Sequence, residues 1–164
     1  MRNKNVLFVA QAALIAAIYV VLTYFVSAFH LASGAIQIRI SEALTILPYF
    51  TPAAIPGLAI GCLLSNLLTG CLLMDVVFGS LATLLGAVGS YLLRKYKWLV
   101  PLPPIIANTL IVPFVLAYVY GVEGSIPFFM LTVGIGEVIS CYLLGGILLN
   151  ALLPYRNIIF RKGS

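Results

Sequence analysis

Carboxylates are scarce in this 164-residue chain, and their positions make them its best candidates for chemistry. The four are Glu42, Asp75, Glu123 and Glu137. Glu123 sits in a short break, whereas the other three interrupt or border apolar runs. A carboxylate placed in hydrocarbon is costly, so it usually faces a bundle interior or a cavity and marks a transport pathway or a ligand site. We therefore expect the function to lie where these three carboxylates converge.

Ligand binding is the chemistry that such carboxylates suit. A carboxylate can accept two parallel N–H bonds from an amidine-like edge, such as the ring N–H and exocyclic amine of a guanine-type base. Asparagine side chains in a water-excluded pocket can both donate and accept hydrogen bonds. We accordingly predict a substrate site that contains the following polar side chains: Glu42, Asn66, Asp75, Asn108 and Glu137.

Aromatic rings could complete this site by stacking on a planar ligand, and Phe128 is the one that we assign to it. The aromatic residues expected near the same end of the chain's helices are Tyr24, Phe25, Phe29, Phe78, Phe128 and Phe129. Structural interpretations compete with this one. Aromatic rings also fill cores and interface belts, buried acids also serve as polar pairs that hold helices together, and Asp75 could be a solvated residue at a helix start.

Motifs for catalysis are missing from the sequence. It has no G-x-x-x-x-G-K-[ST], G-x-S-x-G or H-E-x-x-H motif. The single histidine, His30, is expected to be a solvated or interfacial loop residue rather than a base or ligand. Cys62, Cys71 and Cys141 form no C-x-x-C pair and are expected to be small buried residues rather than a disulfide or a metal site. We expect neither an enzyme nor a metal site nor a cofactor held by this chain.

Composition indicates the class of protein that must position these groups. Hydrophobic residues make up 63% of the chain and charged residues 8%, against about 25% charged residues in ordinary soluble domains. The net charge of +5 does not indicate nucleic-acid binding, because the basic residues gather in loops rather than on an amphipathic face. The chain is predicted to be an all-α integral membrane protein.

Apolar runs separated by Pro, Gly and basic residues predict one six-helix membrane domain over residues 1–164. A spanning helix needs about 20 mostly apolar residues. The first run is too long for a signal peptide and lacks a cleavage site, so it is expected to be retained. The second helix is short and is broken by Thr51-Pro52. The approximate predicted helices are 6–29, 40–50, 53–68, 76–93, 101–120 and 127–153.

Basic residues predict the orientation of this bundle. Eight of the nine Lys and Arg residues fall at the N-terminus, between helices four and five, or in the C-terminal tail, and only Arg39 lies elsewhere. Cytoplasmic loops carry an excess of such residues, so both termini are expected to be cytoplasmic. The protein is expected in a cell membrane, in keeping with a bacterial plasma membrane.

This orientation predicts the depth of each candidate ligand. Glu42 and Asp75 fall at the outer ends of helices two and four, and Asn66 falls in the outer third of helix three. Glu137 lies about 15 Å into helix six from outside, and Asn108 lies nearer to mid-depth. A polar cavity that opens outward is the simplest arrangement.

Small residues at four-residue spacing recur in three helices. Helix one carries Ala12 with Ala16 and Ala13 with Ala17, and such stripes let helix backbones approach closely. Helices three and four repeat the spacing and are expected to pack inside the bundle through Gly57, Gly61 and Ser65, and through Ala82, Gly86 and Ser90. For helix one, internal packing and contact with a partner protein both stay open.

Four segments together resemble a known family. They are the Q-I-R-I-S-E-A-L run at residues 37–44, the P-G-L-A-I-G run at 56–61, Ser65-Asn66-Leu67, and Gly136-Glu137. With the alanines of helix one, they are similar to the QueT family over essentially the whole chain. These proteins are the substrate-binding S components of energy-coupling factor (ECF) vitamin transporters that are assigned to queuosine precursors.

The resemblance implies a function and a set of partners. S components capture substrate from outside and dock on a membrane coupling subunit that carries two ATPase subunits, so ATP would be used by partners rather than by this chain. Ala12, Ala13, Ala16 and Ala17 match the position of the family's docking face. The implied substrate is queuine or a related deazaguanine.

Two other functions remain open from the sequence. One is a small homo-oligomeric secondary transporter of a heterocyclic metabolite, in which Glu137 couples transport to protons. The other is a purely structural membrane subunit, in which the acids hold helices together. Equilibrium binding of candidate ligands would separate these possibilities.

Overall fold

The computed structural model describes residues 4–28 and 38–160, and every structural statement below refers to these. His30 and Phe29, discussed above as a loop residue and a stacking candidate, lie outside the described residues. The α-helices are α1 Lys4–Ala28, α2 Ala54–Leu68, α3 Leu73–Leu92, α4 Leu102–Tyr118, α5 Ile126–Glu137, α6 Gly145–Leu152 and α7 Arg156–Ile159. Other helical segments are the 3-10 helices Ile40–Tyr49, Lys97–Leu99 and Leu153–Tyr155 and the π-helix Val138–Leu144.

Helices of spanning length confirm the prediction of an all-helical membrane protein in part. Four helical stretches within the described ranges are long and apolar enough to cross a bilayer: Lys4–Ala28, Leu73–Leu92, Lys97–Tyr118 and Ile126–Ile159. The α2 helix has 15 residues and the first 3-10 helix has 10, so both are shorter than the about 20 residues of a full span. The structure therefore gives four candidate spans and two shorter helices where the sequence predicted six membrane helices with a short second one.

The first 3-10 helix, Ile40–Tyr49, lies inside the bundle. Helices α1 to α5 pack against one another in chain order, and this 3-10 helix contacts α1, α2, α3, α6 and the π-helix. Every residue from Ser41 to Pro48 is buried. A helix that is buried all round needs no polar face. Five of these eight residues are accordingly apolar, and the only polar side chains beside Glu42 are the hydroxyls of Ser41 and Thr45.

The 3-10 geometry has local causes in the sequence. Pro48 has no N–H to donate within the helix. The Thr45 hydroxyl donates to the main-chain carbonyl of Glu42 at 2.6 Å, three residues back, and so competes with regular α-helical bonding. Because a 3-10 helix rises about 2.0 Å per residue, ten residues cover about 20 Å instead of about 15 Å. This segment crosses much of the bundle with few residues.

The last long helix is continuous but irregular. Residues 126–152 form the predicted sixth helix, and the π-helix Val138–Leu144 interrupts it between α5 and α6. Directly after the π-helix, Gly145 lies against the buried 3-10 helix, where an added Cβ atom would come within 2.9 Å of Ile46 Cγ2 and 3.4 Å of the Ala43 carbonyl. The glycine therefore lets the irregular part of this helix approach the buried 3-10 helix.

Small residues join α1 to α2. A Cβ atom added to Gly57 would lie 2.8 Å from the Ala12 carbonyl, and one added to Gly61 would lie 3.1 Å from Ala16 Cα. Ala12 and Ala16 are consequently buried within the chain, whereas Ala13 and Ala17 remain exposed. The four alanines predicted as one docking face thus fall on two sides of α1. The glycine stripe predicted for internal packing does pack internally, against α1.

Candidate functional site

Two carboxylates from distant parts of the sequence meet where the buried 3-10 helix faces the π-helix. Glu42 lies in the first turn of the 3-10 helix, and Glu137 ends α5 immediately before the π-helix. The side chains are 1% and 6% exposed. One side-chain ligand atom from each of Glu42, Glu137 and Cys141 lies within 4.8 Å of the other two. We call these three residues the carboxylate cluster.

Only one of the two carboxylate oxygens of Glu42 has a hydrogen-bond partner in the structure. The Tyr19 hydroxyl of α1 donates to Glu42 Oε1 at 2.5 Å. Glu42 Oε2 is buried and has no hydrogen-bond partner in the structure. Since a buried carboxylate oxygen without a donor is costly, an atom in this position is a natural acceptor for a ligand N–H.

Glu137 is oriented by weaker donors. The Cys141 thiol, one helical turn further on, donates to Glu137 Oε2 at 3.4 Å. The side chain of Asn108, from α4, lies close to Glu137. Cys141 also lies 3.7 Å from the main-chain carbonyl of Glu42 and accepts from the Thr45 hydroxyl at 3.5 Å. The thiol therefore ties the two carboxylate-bearing elements together.

Arg39 supplies positive charge beside the carboxylate cluster. It immediately precedes the buried 3-10 helix, and its main-chain N–H donates to Ser140 Oγ at 3.2 Å. Its guanidinium acts electrostatically on Glu42, Glu137 and Asp75. One cation among three carboxylates leaves the site rich in hydrogen-bond acceptors, which suits a ligand that carries several N–H donors.

A polar cavity opens next to the carboxylate cluster. It has a volume of about 170 Å³ and is lined from α1, from the start of the 3-10 helix, from the end of α2 and from the α2–α3 connection. The lining residues are Thr23, Val26, Ser27, Arg39, Ser41, Asn66, Thr69 and Cys71. Ser41 is the neighbour of Glu42 in sequence, so the cavity reaches the beginning of the element that carries this carboxylate. Asn66, predicted as a site residue, lies in the cavity wall.

Asp75 belongs to a neighbouring contact rather than to the carboxylate cluster. The Tyr120 hydroxyl donates to Asp75 Oδ2 at 2.8 Å and accepts from the Leu72 main-chain N–H at 3.3 Å. Burial raises the pKa of Tyr120, and the hydrogen bond to Asp75 raises this pKa further. We call this three-residue contact the Tyr120 clasp, because it ties the start of α3 to the residues after α4.

The predicted site residues therefore fall into three groups. Glu42, Glu137 and Asn108 come together. Asn66 and Asp75 lie near each other, since an added Cβ on Gly79 would meet Asn66 Nδ2 at 3.1 Å and Asp75 Oδ1 at 3.5 Å. Phe128 stands apart: it is 51% exposed, its ring packs edge-on against Phe129, and it lies nine residues before Glu137, or about 13 Å along α5.

Sequence reasoning missed several members of the site. Cys141 was interpreted as a small buried residue, although its four-residue spacing from Glu137 places both side chains on one helix face. Tyr19 carries a hydroxyl in the middle of an apolar helix, and this polar group was the sequence feature that could have indicated a role in the site. Arg39 lies three residues before Glu42, so its proximity to this carboxylate is local, whereas its proximity to Glu137 depends on how distant segments pack.

The geometry of the site favours binding. The carboxylate cluster could hold a metal ion by its ligand types, since it offers two carboxylates and one thiol. The same oxygens accept paired N–H groups of a heterocycle. Both carboxylates are buried, and the polar cavity reaches Ser41 next to Glu42. A small number of fixed polar groups beside a cavity is a feature of small-molecule sites.

Comparison with known proteins identifies the family of the chain. A family model described as QueT transporter matches residues 9–154. A relative, the queuosine precursor transporter QueT of Lactococcus lactis subsp. cremoris (strain MG1363), is 33% identical over 98 residues, which cover 59% of this chain and 57% of the relative. The aligned segment thus spans little more than half of that relative's length. No solved structure matches the chain.

The family match covers most of the chain, including every helix that contributes to the carboxylate cluster and to the polar cavity. It agrees with the resemblance seen in the R-I-S-E and P-G-x-x-x-G segments. Its long apolar helices are those of a multi-pass membrane protein, and the chain belongs to the QueT transporter family.

Proposed function

We propose that this chain captures a queuosine precursor from outside the cell as the S component of an ECF importer. The observation that carries this proposal is the unpartnered, buried Oε2 of Glu42, which lies in a cluster with Glu137 and beside a polar cavity. A site with a free buried acceptor is complete only when a ligand supplies a donor. The substrate class comes from the name of the Lactococcus relative.

A deazaguanine has the hydrogen-bonding groups that this site lacks. Its pyrimidine edge carries a ring N–H and an amine, which match the two acceptor oxygens of one carboxylate. Glu42 Oε1 is already engaged by Tyr19, so a second carboxylate, Glu137, provides acceptors for a further donor. Asn108 can give and receive one hydrogen bond each and thereby fix the orientation of the ring.

Energy for uptake is proposed to come from partner subunits. The chain itself is not an enzyme in this proposal and holds no cofactor, and two ATPases act through a membrane coupling subunit. An apolar groove of about 850 Å³ between α1 and α2 supports docking, since it exposes small side chains to the lipid region. Ala12, Ala13, Ala16 and Ala17 all line it, with Ala13 and Ala17 on its open side.

The distribution of charge supports an orientation with both termini in the cytoplasm. Of the described basic residues, Lys4, Arg94, Lys95, Lys97 and Arg156 lie at the ends of helices remote from the polar cavity. Cytoplasmic ends of membrane proteins are rich in such residues. The end that carries Arg39 and the polar cavity would then face outside, where substrate arrives.

Direct ligand binding tests this proposal. The purified chain in detergent is titrated calorimetrically with queuine, with its aminomethyl precursor and with guanine, in the absence of ATP. We expect tight binding of at least one deazaguanine. If folded protein binds none of the three, the chain is not a precursor-capturing subunit, and the interpretation of the acids as structural pairs gains support.

A proton-coupled secondary transporter is the second candidate, because Glu137 is a buried carboxylate deep in a helix. Uptake into vesicles separates the two functions. The proposed S component requires the coupling subunit and ATP hydrolysis. Uptake by the chain alone, driven by a pH gradient and abolished in Glu137→Gln, would establish the secondary transporter instead.

A further inference from the structure

A second cavity lies at the opposite end of the bundle from the polar cavity. It has a volume of about 590 Å³ and is lined by Tyr49, Phe50, Arg94, Lys95, Arg156, Asn157 and Phe160. These residues come from the end of the buried 3-10 helix, from the residues after α3 and from α7 and the residue that follows it. We call it the basic cavity.

Positive charge in the basic cavity has no acidic partner among the side chains that the structure describes. The cavity walls carry Arg94, Lys95 and Arg156 and no carboxylate. The four acidic side chains lie in the carboxylate cluster, in the Tyr120 clasp, or in the turn before α5. Arg94 donates one N–H to the Tyr91 carbonyl at 2.8 Å, so most of its five donors remain available.

Aromatic rings form the other wall. Phe50 and Phe160 stack with their centroids 4.8 Å apart and their planes 9° apart, and Tyr49 packs edge-on against Phe50 at 5.0 Å. Exposed apolar side chains, including Leu92 and Ile158, lie on the helices that lead to this cavity. The cavity is therefore cationic on one wall and apolar on another, at the end of the spanning helices.

We propose that the basic cavity binds the phosphate of an anionic phospholipid headgroup. Arginine presents a planar set of donors that fits phosphate oxygens bidentately, and lysine adds a compact charge. Basic cavities between helices at a membrane surface are suited to such headgroups. The exposed apolar side chains beside the cavity favour a lipid over free phosphate, because they can contact its acyl chains. This site is separate from substrate capture.

Trp98 provides an intrinsic probe, because it is the only tryptophan of the chain and lies three residues after Lys95, with 69% of its surface exposed. The full-length protein is reconstituted in phosphatidylcholine vesicles that contain a minor fraction of brominated phosphatidylglycerol, which quenches nearby tryptophan fluorescence. A parallel sample contains brominated phosphatidylcholine instead. We expect stronger quenching by the anionic lipid at equal fraction and fixed ionic strength.

Charge removal locates the site. Arg94→Gln and Arg156→Gln should each reduce the preference for the anionic lipid about fivefold, as expected for the loss of one cation near a headgroup. Lys4→Gln removes an equal charge outside the cavity lining and should leave the preference unchanged. Equal loss in all three variants would reduce the effect to general surface charge and overturn the proposal.

Inorganic phosphate distinguishes the two sources of the ligand group. Phosphate added at constant ionic strength should not relieve the quenching if the lipid is the ligand. Complete relief by phosphate would show that the cavity selects free phosphate and would overturn the lipid assignment. Equal quenching by both brominated lipids in the wild-type protein would overturn the proposal altogether.

Discussion

At the scale of single residues, the two oxygens of Glu42 have different environments. The Tyr19 hydroxyl donates a short hydrogen bond to Oε1, and this bond fixes the orientation of the carboxylate. Oε2 is buried and has no hydrogen-bond partner in the structure. Thr45 and Cys141 hold the surrounding main chain. A preorganised carboxylate loses little conformational entropy when a ligand binds, so the geometry around Glu42 favours affinity.

Glutamine substitutions test the role of the two carboxylates. In Glu42→Gln the amide oxygen can keep the bond from Tyr19, while an NH₂ group replaces the free acceptor and opposes a ligand N–H. Losing a charge-assisted hydrogen bond costs roughly 1.5–3 kcal/mol, or about 10- to 150-fold in affinity. Glu137→Gln should weaken binding similarly. Calorimetric titration with the best-binding deazaguanine measures both effects.

Glu123→Gln is the matched control, because Glu123 is exposed in the turn before α5. It should bind as the wild type does. If the affinities of Glu42→Gln and Glu137→Gln also stay within about twofold of the wild-type affinity, neither carboxylate binds the substrate. Both would then have a structural role.

These residues show how much of the candidate site the sequence could predict. The cost of carboxylates in apolar runs identified Glu42 and Glu137. The predicted topology placed Asn108 nearer to mid-depth and Glu42 at the outer end of its helix, so it did not predict that these side chains lie together. Tyr19 was missed, because a tyrosine in a spanning helix is far more often an ordinary packing residue. Phe128 was chosen by proximity in the predicted topology, and the rotation of α5 about its axis turned it outward.

At the scale of elements, the site depends on two helices that depart from α geometry. Long 3-10 helices are uncommon, and π-helical turns occur often at functional sites. Here the ten-residue 3-10 helix and the seven-residue π-helix face each other, and each carries one carboxylate at or next to its beginning. Regular helices in their place would rotate the side chains after each irregular turn and separate the two carboxylates.

Gly145 tests the contact between these two elements. Alanine at this position brings its Cβ within 2.9 Å of Ile46 Cγ2, and overpacking of this kind costs roughly 1–3 kcal/mol. Gly145→Ala should therefore lower the melting temperature and weaken substrate binding together. Thermal unfolding in detergent and calorimetric titration provide the two measurements.

Gly146→Ala is the control for this contact. Apart from its chain neighbours and the backbone of its own helix, no atom lies within 4 Å of a Cβ added there. Alanine is favoured over glycine in helices by up to about 1 kcal/mol. It should leave affinity unchanged and stability unchanged or raised. If Gly145→Ala has the same stability and affinity as Gly146→Ala, the close approach of Gly145 to the buried 3-10 helix is not required for folding or for binding.

The Tyr120 clasp predicts a pH-dependent contribution to stability. Tyr120→Phe removes the donor to Asp75 and should cost roughly 0.5–1.5 kcal/mol at neutral pH. The pKa of Tyr120 is raised above its ordinary value of about 10. The clasp's contribution is consequently complete below about pH 10 and is lost as pH rises through the raised folded-state pKa.

Melting temperatures of the wild type and Tyr120→Phe should differ by a constant amount from neutral pH to about pH 10, and the two should converge only above it. Tyr118→Phe serves as the control, since Tyr118 is 77% exposed on the last turn of α4. Convergence of the wild type and Tyr120→Phe already below pH 9 would contradict the neutral clasp.

Element boundaries were largely predictable, whereas helix types were not. Apolar runs with Pro and Gly at their ends gave starts and ends within a few residues for α1, α2 and α3. The same apolar pattern fits an α-helix and a 3-10 helix over ten residues, so the geometry of the 3-10 helix could not be assigned. The π-helix depends on main-chain hydrogen bonds set by packing against the 3-10 helix, which no local pattern encodes.

At the scale of the whole molecule, the acidic, basic and apolar surfaces lie at different places on the bundle. The carboxylate cluster and the polar cavity lie toward one end, and the basic cavity lies at the other. The apolar groove runs along the side between α1 and α2. In the proposed S component, this separation would let the coupling subunit dock without disturbing the bound ligand.

The groove changes which α1 variants can test docking. Ala12 and Ala16 contact Gly57 and Gly61, so leucine at either position would push α1 away from α2 and damage the fold itself. Ala13 and Ala17 are exposed and line the same groove. The sequence showed a doubled alanine stripe, but only the packing of α2 reveals which pair is already used within the chain.

Ala13→Leu and Ala17→Leu should abolish substrate uptake while leaving ligand binding by the isolated chain intact, because an isobutyl group blocks the close approach of a partner helix. Uptake in cells, calorimetric binding and co-purification with the coupling subunit are measured for each variant. Ile18→Phe adds volume on α1 outside the groove lining and should retain uptake. Full complex yield and normal uptake in both alanine variants would exclude this side of α1 as the docking surface, whereas weakened ligand binding would mean that the groove also supports the substrate site.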